Sequence, residues 1–121
     1  MAYLRATLLG LIGLAIWPSL ATAHAFLEKS APDADAVLDK APPSVQLWFS
    51  RAVEPSFSSI RVVNSAGKEV NNGKSAVSDS DPKLIAVNLQ PLTAGKYKVI
   101  WRIVALDGHK AKGEFAFSVK S

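Results

Sequence analysis

The run Lys96-Tyr-Lys-Val-Ile-Trp-Arg-Ile-Val-Ala105 sets Tyr97, Val99, Trp101 and Ile103 on one side and Lys98, Ile100 and Arg102 on the other. A period of two held this long marks a strand with one buried face, because successive side chains of an extended chain point to opposite sides. Its length and bulky apolar side predict a central position. Gly113 to Lys120 repeats the pattern, with Phe115, Phe117 and Val119 alternating against Glu114, Ala116 and Ser118. Upstream, Val45, Leu47 and Phe49 alternate with Gln46, Trp48 and Ser50 behind Pro42-Pro43. Ser59-Ile-Arg-Val-Val63 ends at the turn residues Asn64-Ser-Ala-Gly67, and Lys83 to Leu89 is followed by Pro91-Leu-Thr-Ala-Gly95. The polar stretch Asn71 to Pro82 reads as a long connection or an edge hairpin. No segment sustains a helical period, and only Ala31 to Lys40 is expected to hold a helical turn. Six or seven short strands separated by turn signals predict an all-β antiparallel sandwich or Greek-key barrel.

Trp48, Phe49, Trp101, Phe115 and Phe117 fall at strand spacing and are read as core, Trp48 out of phase and covering the opposite face. With no cysteine, the chain has neither a disulfide framework nor a thiolate metal site. The formal net charge is +4, but the basic residues are scattered singly, which argues for a solvated surface and against nucleic acid. Arg51-Ala-Val-Glu54 is expected to form a surface ion pair without a function of its own.

Residues 1–23 have a different character. Arg5 precedes an apolar run from Ala6 to Trp17, then Pro18 and the small-residue triplet Ala21-Thr-Ala23. This is the layout of a cleavable secretory signal. The apolar run is too short for a membrane span, which needs about 20 apolar residues. Cleavage after Ala23 is therefore expected, leaving a domain of residues 24–121 outside the cytoplasm.

Both histidines of the chain then stand at informative positions. Cleavage converts the backbone nitrogen of His24 from an amide, whose lone pair is delocalised, to a primary amine. Such an amine ordinarily has a pKa of about 7.7 to 8.0, so a metal displaces its proton near neutrality. Amine and ring Nδ1 of one residue close a six-membered chelate. His109 belongs to Asp107-Gly-His109, and in an extended segment residues i and i+2 project to the same side. His24, Asp107 and His109 together supply three nitrogens and one oxygen. That set suits tetragonal Cu(II); Zn(II) accepts the same atoms but lies lower in the divalent affinity order. The bland alternative for Asp-Gly-His is a surface turn in which the Asp side chain caps backbone.

These residues also resemble a known family. His24-Ala-Phe-Leu27, Ser30-Ala-Pro32, Leu47-Trp-Phe-Ser50, Leu92-Thr-Ala-Gly-Lys-Tyr-Lys-Val-Ile-Trp101, Asp107-Gly-His109 and Gly113-Glu-Phe-Ala-Phe-Ser-Val119 are similar, in order and spacing, to the CopC family of bacterial copper-resistance proteins, its YobA-type members included. The resemblance implies a seven-stranded Greek-key β-barrel of cupredoxin-like or immunoglobulin-like form, located in the periplasm. It further implies one Cu(II) ion in a histidine brace of His24 amine and imidazole, Asp107 and His109, with a CopD-type inner-membrane protein as a possible recipient of the ion. Two departures matter. The only methionine is Met1, lost with the signal, so no dedicated Cu(I) site is expected, soft thioethers being what that ion requires. Arg51 stands where some members carry an acidic residue, which leaves no basis for a further carboxylate ligand there.

The expected function is a non-enzymatic, monomeric copper carrier or buffer serving copper homeostasis or resistance. One alternative is a copper-dependent oxidative enzyme of histidine-brace type, but a domain this small needs its aromatics for its core and has none to spare for a polymer substrate. Another is a metal-free immunoglobulin-like interaction module, which leaves the two histidines unexplained.

Overall fold

The computed structural model describes residues 26–121. Eight strands form two four-stranded sheets: β1 (Leu27–Ala31), β2 (Val37–Leu38), β3 (Ser44–Phe49), β4 (Ser59–Asn64), β5 (Ala76–Val77), β6 (Leu84–Asn88), β7 (Gly95–Val104) and β8 (Lys110–Val119). One sheet runs β1-β3-β6-β5 and the other β2-β8-β7-β4. The all-β sandwich expected from the alternating runs is what the chain adopts. Six strands have five or more residues; the two-residue β2 and β5 bring the count to eight. Asn71 to Pro82 forms an edge hairpin, since β5 pairs antiparallel with β6 across the Ser78–Pro82 turn.

Ala31 to Lys40 contains no helix. It turns at Ala34-Asp35, with Asp35 at φ 63°, and leads into β2, which pairs parallel with β8. The alternation of Asp and Ala in this stretch gives no apolar stripe of helical spacing, so nothing tertiary would hold a helix there.

β7 lies inside its sheet, between β8 and β4, and buries Tyr97, Val99, Trp101 and Ile103. Facing them across the sandwich are Val45, Leu47 and Phe49 of β3 and Ile85 and Val87 of β6. The Trp101 and Phe49 rings meet edge to face at 5.1 Å, and Tyr97 stacks on Phe117 at 5.5 Å. Among the described residues no polar or charged side chain is fully buried, so the core is held by apolar burial, at about 1.5–3 kcal/mol per large side chain. Trp48 does face the other way, half-buried beneath Lys29, whose Nζ lies 4.6 Å above its ring.

The segment Arg51 to Glu54 crosses from one sheet to the other. It is pinned by Val53 N–H to Pro82 O on one side, and by Leu106 N–H to Ala52 O and Glu54 N–H to Val104 O on the other, at 2.8–2.9 Å. Ser58 Oγ adds a tie, donating to Glu54 O at 2.7 Å and accepting from Val104 N–H at 3.0 Å. This strap holds Arg51 against the β7–β8 loop. Its ion pairing differs from the local one expected: Glu54 instead accepts from Ser56 N–H at 2.8 Å at the start of the 3-10 turn Pro55–Phe57. Among the described residues no helix is long and apolar enough to cross a membrane.

Candidate metal centre

Three chain segments converge at one end of the sandwich: the approach to β1, the strap after β3 and the β7–β8 loop. The loop is a tight hairpin. Gly108 N–H donates to Ala105 O at 2.8 Å, and Ala105 N–H donates to His109 O at 2.8 Å. Gly108 stands at φ 92°, the left-handed position that closes a three-residue hairpin loop and that glycine adopts without penalty.

Asp107 and His109 do converge, but by a different route from the one expected. Asp107 lies in the turn, not in an extended segment, and its side chain folds back on His109. Asp107 Oδ1 accepts from the backbone N–H of His109 at 3.0 Å and lies 2.9 Å from its ring Nδ1. The bland alternative, an aspartate capping its own turn, is thus realised alongside the side-chain pair. The two are compatible, because one carboxylate oxygen has two lone pairs.

A third residue completes the cluster. Arg51 Nη1 donates to Asp107 Oδ2 at 2.5 Å and lies 3.4 Å from His109 Nδ1. Nδ1 cannot donate to Asp107 and accept from Arg51 through the same position; the shorter, charge-assisted contact to Asp107 decides, and the longer one is a close approach. With its proton on Nδ1, the neutral ring presents a bare lone pair at Nε2, the arrangement in which a carboxylate orients a metal-binding imidazole. The hydrogen bonds from the His109 backbone, the His109 ring and the Arg51 guanidinium hold the Asp107 carboxyl well below its ordinary range. It stays ionised, and both its neighbours remain reachable from solvent: side-chain exposure is 45% for Asp107, 63% for His109 and 48% for Arg51.

Phe26 forms the floor. The residue is 7% exposed, with the His109 ring centroid 6.4 Å from its own and the Arg51 guanidinium carbon 5.3 Å from its ring centre. Its carbonyl accepts from Ser50 N–H at 2.8 Å, which fixes the chain as it enters β1. Sequence reasoning had found Asp107 and His109 but not Arg51 or Phe26, since both contacts with the loop join residues far apart in the chain. His24 lies outside the described residues, two positions before Phe26. Among the described residues no group of three or more His, Asp or Glu side chains forms a metal cluster, so the pair Asp107–His109 needs a donor from elsewhere to bind a metal tightly.

Residues 27–120 match the family model of the CopC domain. The chain is 36% identical over 99 residues to the protein YobA of Escherichia coli K12, covering 81% of this chain and 80% of that one. It is 38% identical over 108 residues to copper resistance protein C of Pseudomonas syringae pv. tomato, covering 84% and 85%. Among solved structures, CopC of Methylosinus trichosporium OB3b superposes with a TM-score of 0.74 at 32% identity, covering 80% of this chain and 94% of that one.

Proposed function

Because the chain belongs to the CopC family, we propose that it is an exported, periplasmic carrier or buffer for copper, holding one Cu(II) ion through a processed N-terminus at His24 together with Asp107 and His109. In this reading residues 1–23 are the cleaved signal and residues 24–121 the working domain.

The observation that carries the proposal is the seat of Phe26 beside His109. Consecutive Cα atoms are 3.80 Å apart, so connectivity alone keeps residue 24 within about 7–8 Å of the Cα of Phe26. That tether is short enough to let a free amine and imidazole on residue 24 meet the hairpin. His109 offers Nε2, because Nδ1 is engaged by Asp107. Asp107 then acts through either oxygen, as a direct ligand or by orienting the ring. The nitrogen-rich donor set favours Cu(II) over Zn(II), and the absence of methionine beyond Met1 leaves no soft donor for Cu(I).

A carrier fits better than an oxidative enzyme of the same brace. Trp101, Phe49 and Phe117 are fully buried, and Phe57 is the one large aromatic left open among the described residues. That is too little to form a platform for a polymer. A CopD-type membrane protein is the recipient this reading anticipates.

The test is to express the chain with its leader in a Gram-negative host, weigh the periplasmic product and titrate it with Cu(II) against a competing chelator. The expected product begins at His24 and binds one equivalent of Cu(II) far more tightly than Zn(II). A different first residue, or binding no stronger than that of an exposed histidine, overturns the proposal.

A further inference from the structure

The Arg51 guanidinium is an unusual neighbour for a cation site. It is not a stray surface charge: the strap fixes its backbone by the Val53–Ala105 bridge and the Leu106 to Ala52 hydrogen bond. Its side chain lies over the Phe26 ring, and Nη1 reaches Asp107 Oδ2. Packing, cation–π attraction and a charge-assisted hydrogen bond all favour the same placement. The three together put a permanent positive charge against the same carboxylate and imidazole that would receive a divalent ion.

We infer that Arg51 is a positioning residue that limits the strength of the metal site, holding Asp107 ready on its Oδ2 while competing, as a cation, with the incoming ion for that carboxylate. This inference rests on the reading of the site given above. Its consequence is exchangeability. An ion entering the hairpin meets an aspartate already neutralised by a partner, so it gains less from that carboxylate than from a free one. The ion also remains near a like charge after it binds. A site built this way holds copper but gives it up to a stronger or more negatively charged acceptor, as a carrier must.

Arg51→Gln removes the charge while keeping a side chain able to donate to Asp107. Cu(II) should then bind about tenfold more tightly, the scale expected for one unit charge facing a divalent ion across a few ångströms in a solvent-like, partly screened setting. Arg51→Lys, which keeps the charge, should shift the affinity less than Arg51→Gln does. The difference between wild type and Arg51→Gln should narrow as salt is raised from low ionic strength towards 1 M. Zn(II), with the same charge, should tighten by a similar factor.

A merely structural arginine predicts the opposite pattern: weaker binding in both variants, a lower unfolding midpoint and no salt dependence. Unchanged or weaker Cu(II) binding in Arg51→Gln, or an equal shift in Arg51→Lys, overturns the inference. If wild-type binding does not depend on the His24 amine, the reading of the site fails and takes this inference with it. If binding does depend on that amine and Arg51→Gln is flat, only the role of Arg51 falls.

Discussion

Replacing Gly113 by alanine drives a methyl group into Trp101. The two residues are direct partners in the β7–β8 ladder and share the inward face. A Cβ built on Gly113 lies 2.6 Å from Trp101 Cζ2 and 2.9 Å from Cε2. Carbon atoms in good contact sit about 3.5–4.0 Å apart, so the overlap approaches 1 Å. The indole has little room to retreat, being 2% exposed and packed edge to face on Phe49. Overpacking of this kind costs about 1–3 kcal/mol. For a domain of this size each kcal/mol lowers the melting midpoint by about 4–8 °C, giving an expected loss of about 4–24 °C. Urea unfolding followed by tryptophan emission should show a lower midpoint with an unchanged slope, while Cu(II) affinity of the folded variant stays at the wild-type value. An unchanged midpoint would mean that Trp101 is not held against Gly113, and the account of this sheet would be wrong.

Gly108→Ala makes an instructive contrast: its Cβ would meet nothing within 4 Å, but φ is +92°, so backbone strain of about 1 kcal/mol is expected together with weakened Cu(II) binding, because the loop that carries Asp107 and His109 is distorted. Asp107→Asn should weaken Cu(II) binding by about 10–100-fold with the fold intact, since the residue both orients His109 and supplies charge; full affinity by titration would remove it from the site. Asn71→Ala should cost about 1–3 kcal/mol in urea, because its side chain accepts from Val62 N–H at 2.8 Å and donates to Ile60 O at 2.9 Å, serving as a substitute strand along β4; a neutral result would show that water replaces it. In the metal-free protein the Asp107 carboxyl should remain ionised through the pH range, near 4, where ordinary aspartates protonate. The sign follows from its depressed pKa: what the His109 and Arg51 contacts contribute is present above the ordinary aspartate range and is lost as pH falls through the lowered value. Because the pair is exposed, the readout is an NMR titration of the carboxyl carbon, and an ordinary midpoint there would contradict the geometry of the loop.

The strands that carry the core were legible because burial of one face imposes alternation, which β3, β6, β7 and β8 show throughout and β4 shows as far as Val62, where the adjacent Val63 is buried as well. The remaining strands were not. β1 reads Leu27-Glu-Lys-Ser-Ala31, has no fully buried residue and breaks register at an irregularity between Leu27 and Lys29, so no period survives in its sequence. β2 exists only because two residues reach β8, an edge pairing that local pattern does not encode. The site shows the same division. Asp107 and His109 lie within one hairpin and could be found from their spacing. Arg51 reaches Asp107 across 56 positions, and the only local signal was a cation just beyond the end of β3. Its expected partner, Glu54, was the nearer choice in sequence, but the strap turns that side chain towards Ser56. The deeper limit is His24, whose proposed chemistry depends on a bond being cut and so belongs to processing, not to folding.

The most direct measurement compares Cu(II) affinity of two otherwise identical proteins, one beginning at His24 and one carrying a single added glycine before it. The extension turns the primary amine back into an amide and leaves the fold, Asp107, Arg51 and His109 untouched. The account predicts that the extended protein unfolds at the same midpoint but loses most of its Cu(II) affinity. Equal affinity in the two would contradict it, because the ion would then be held without the amine.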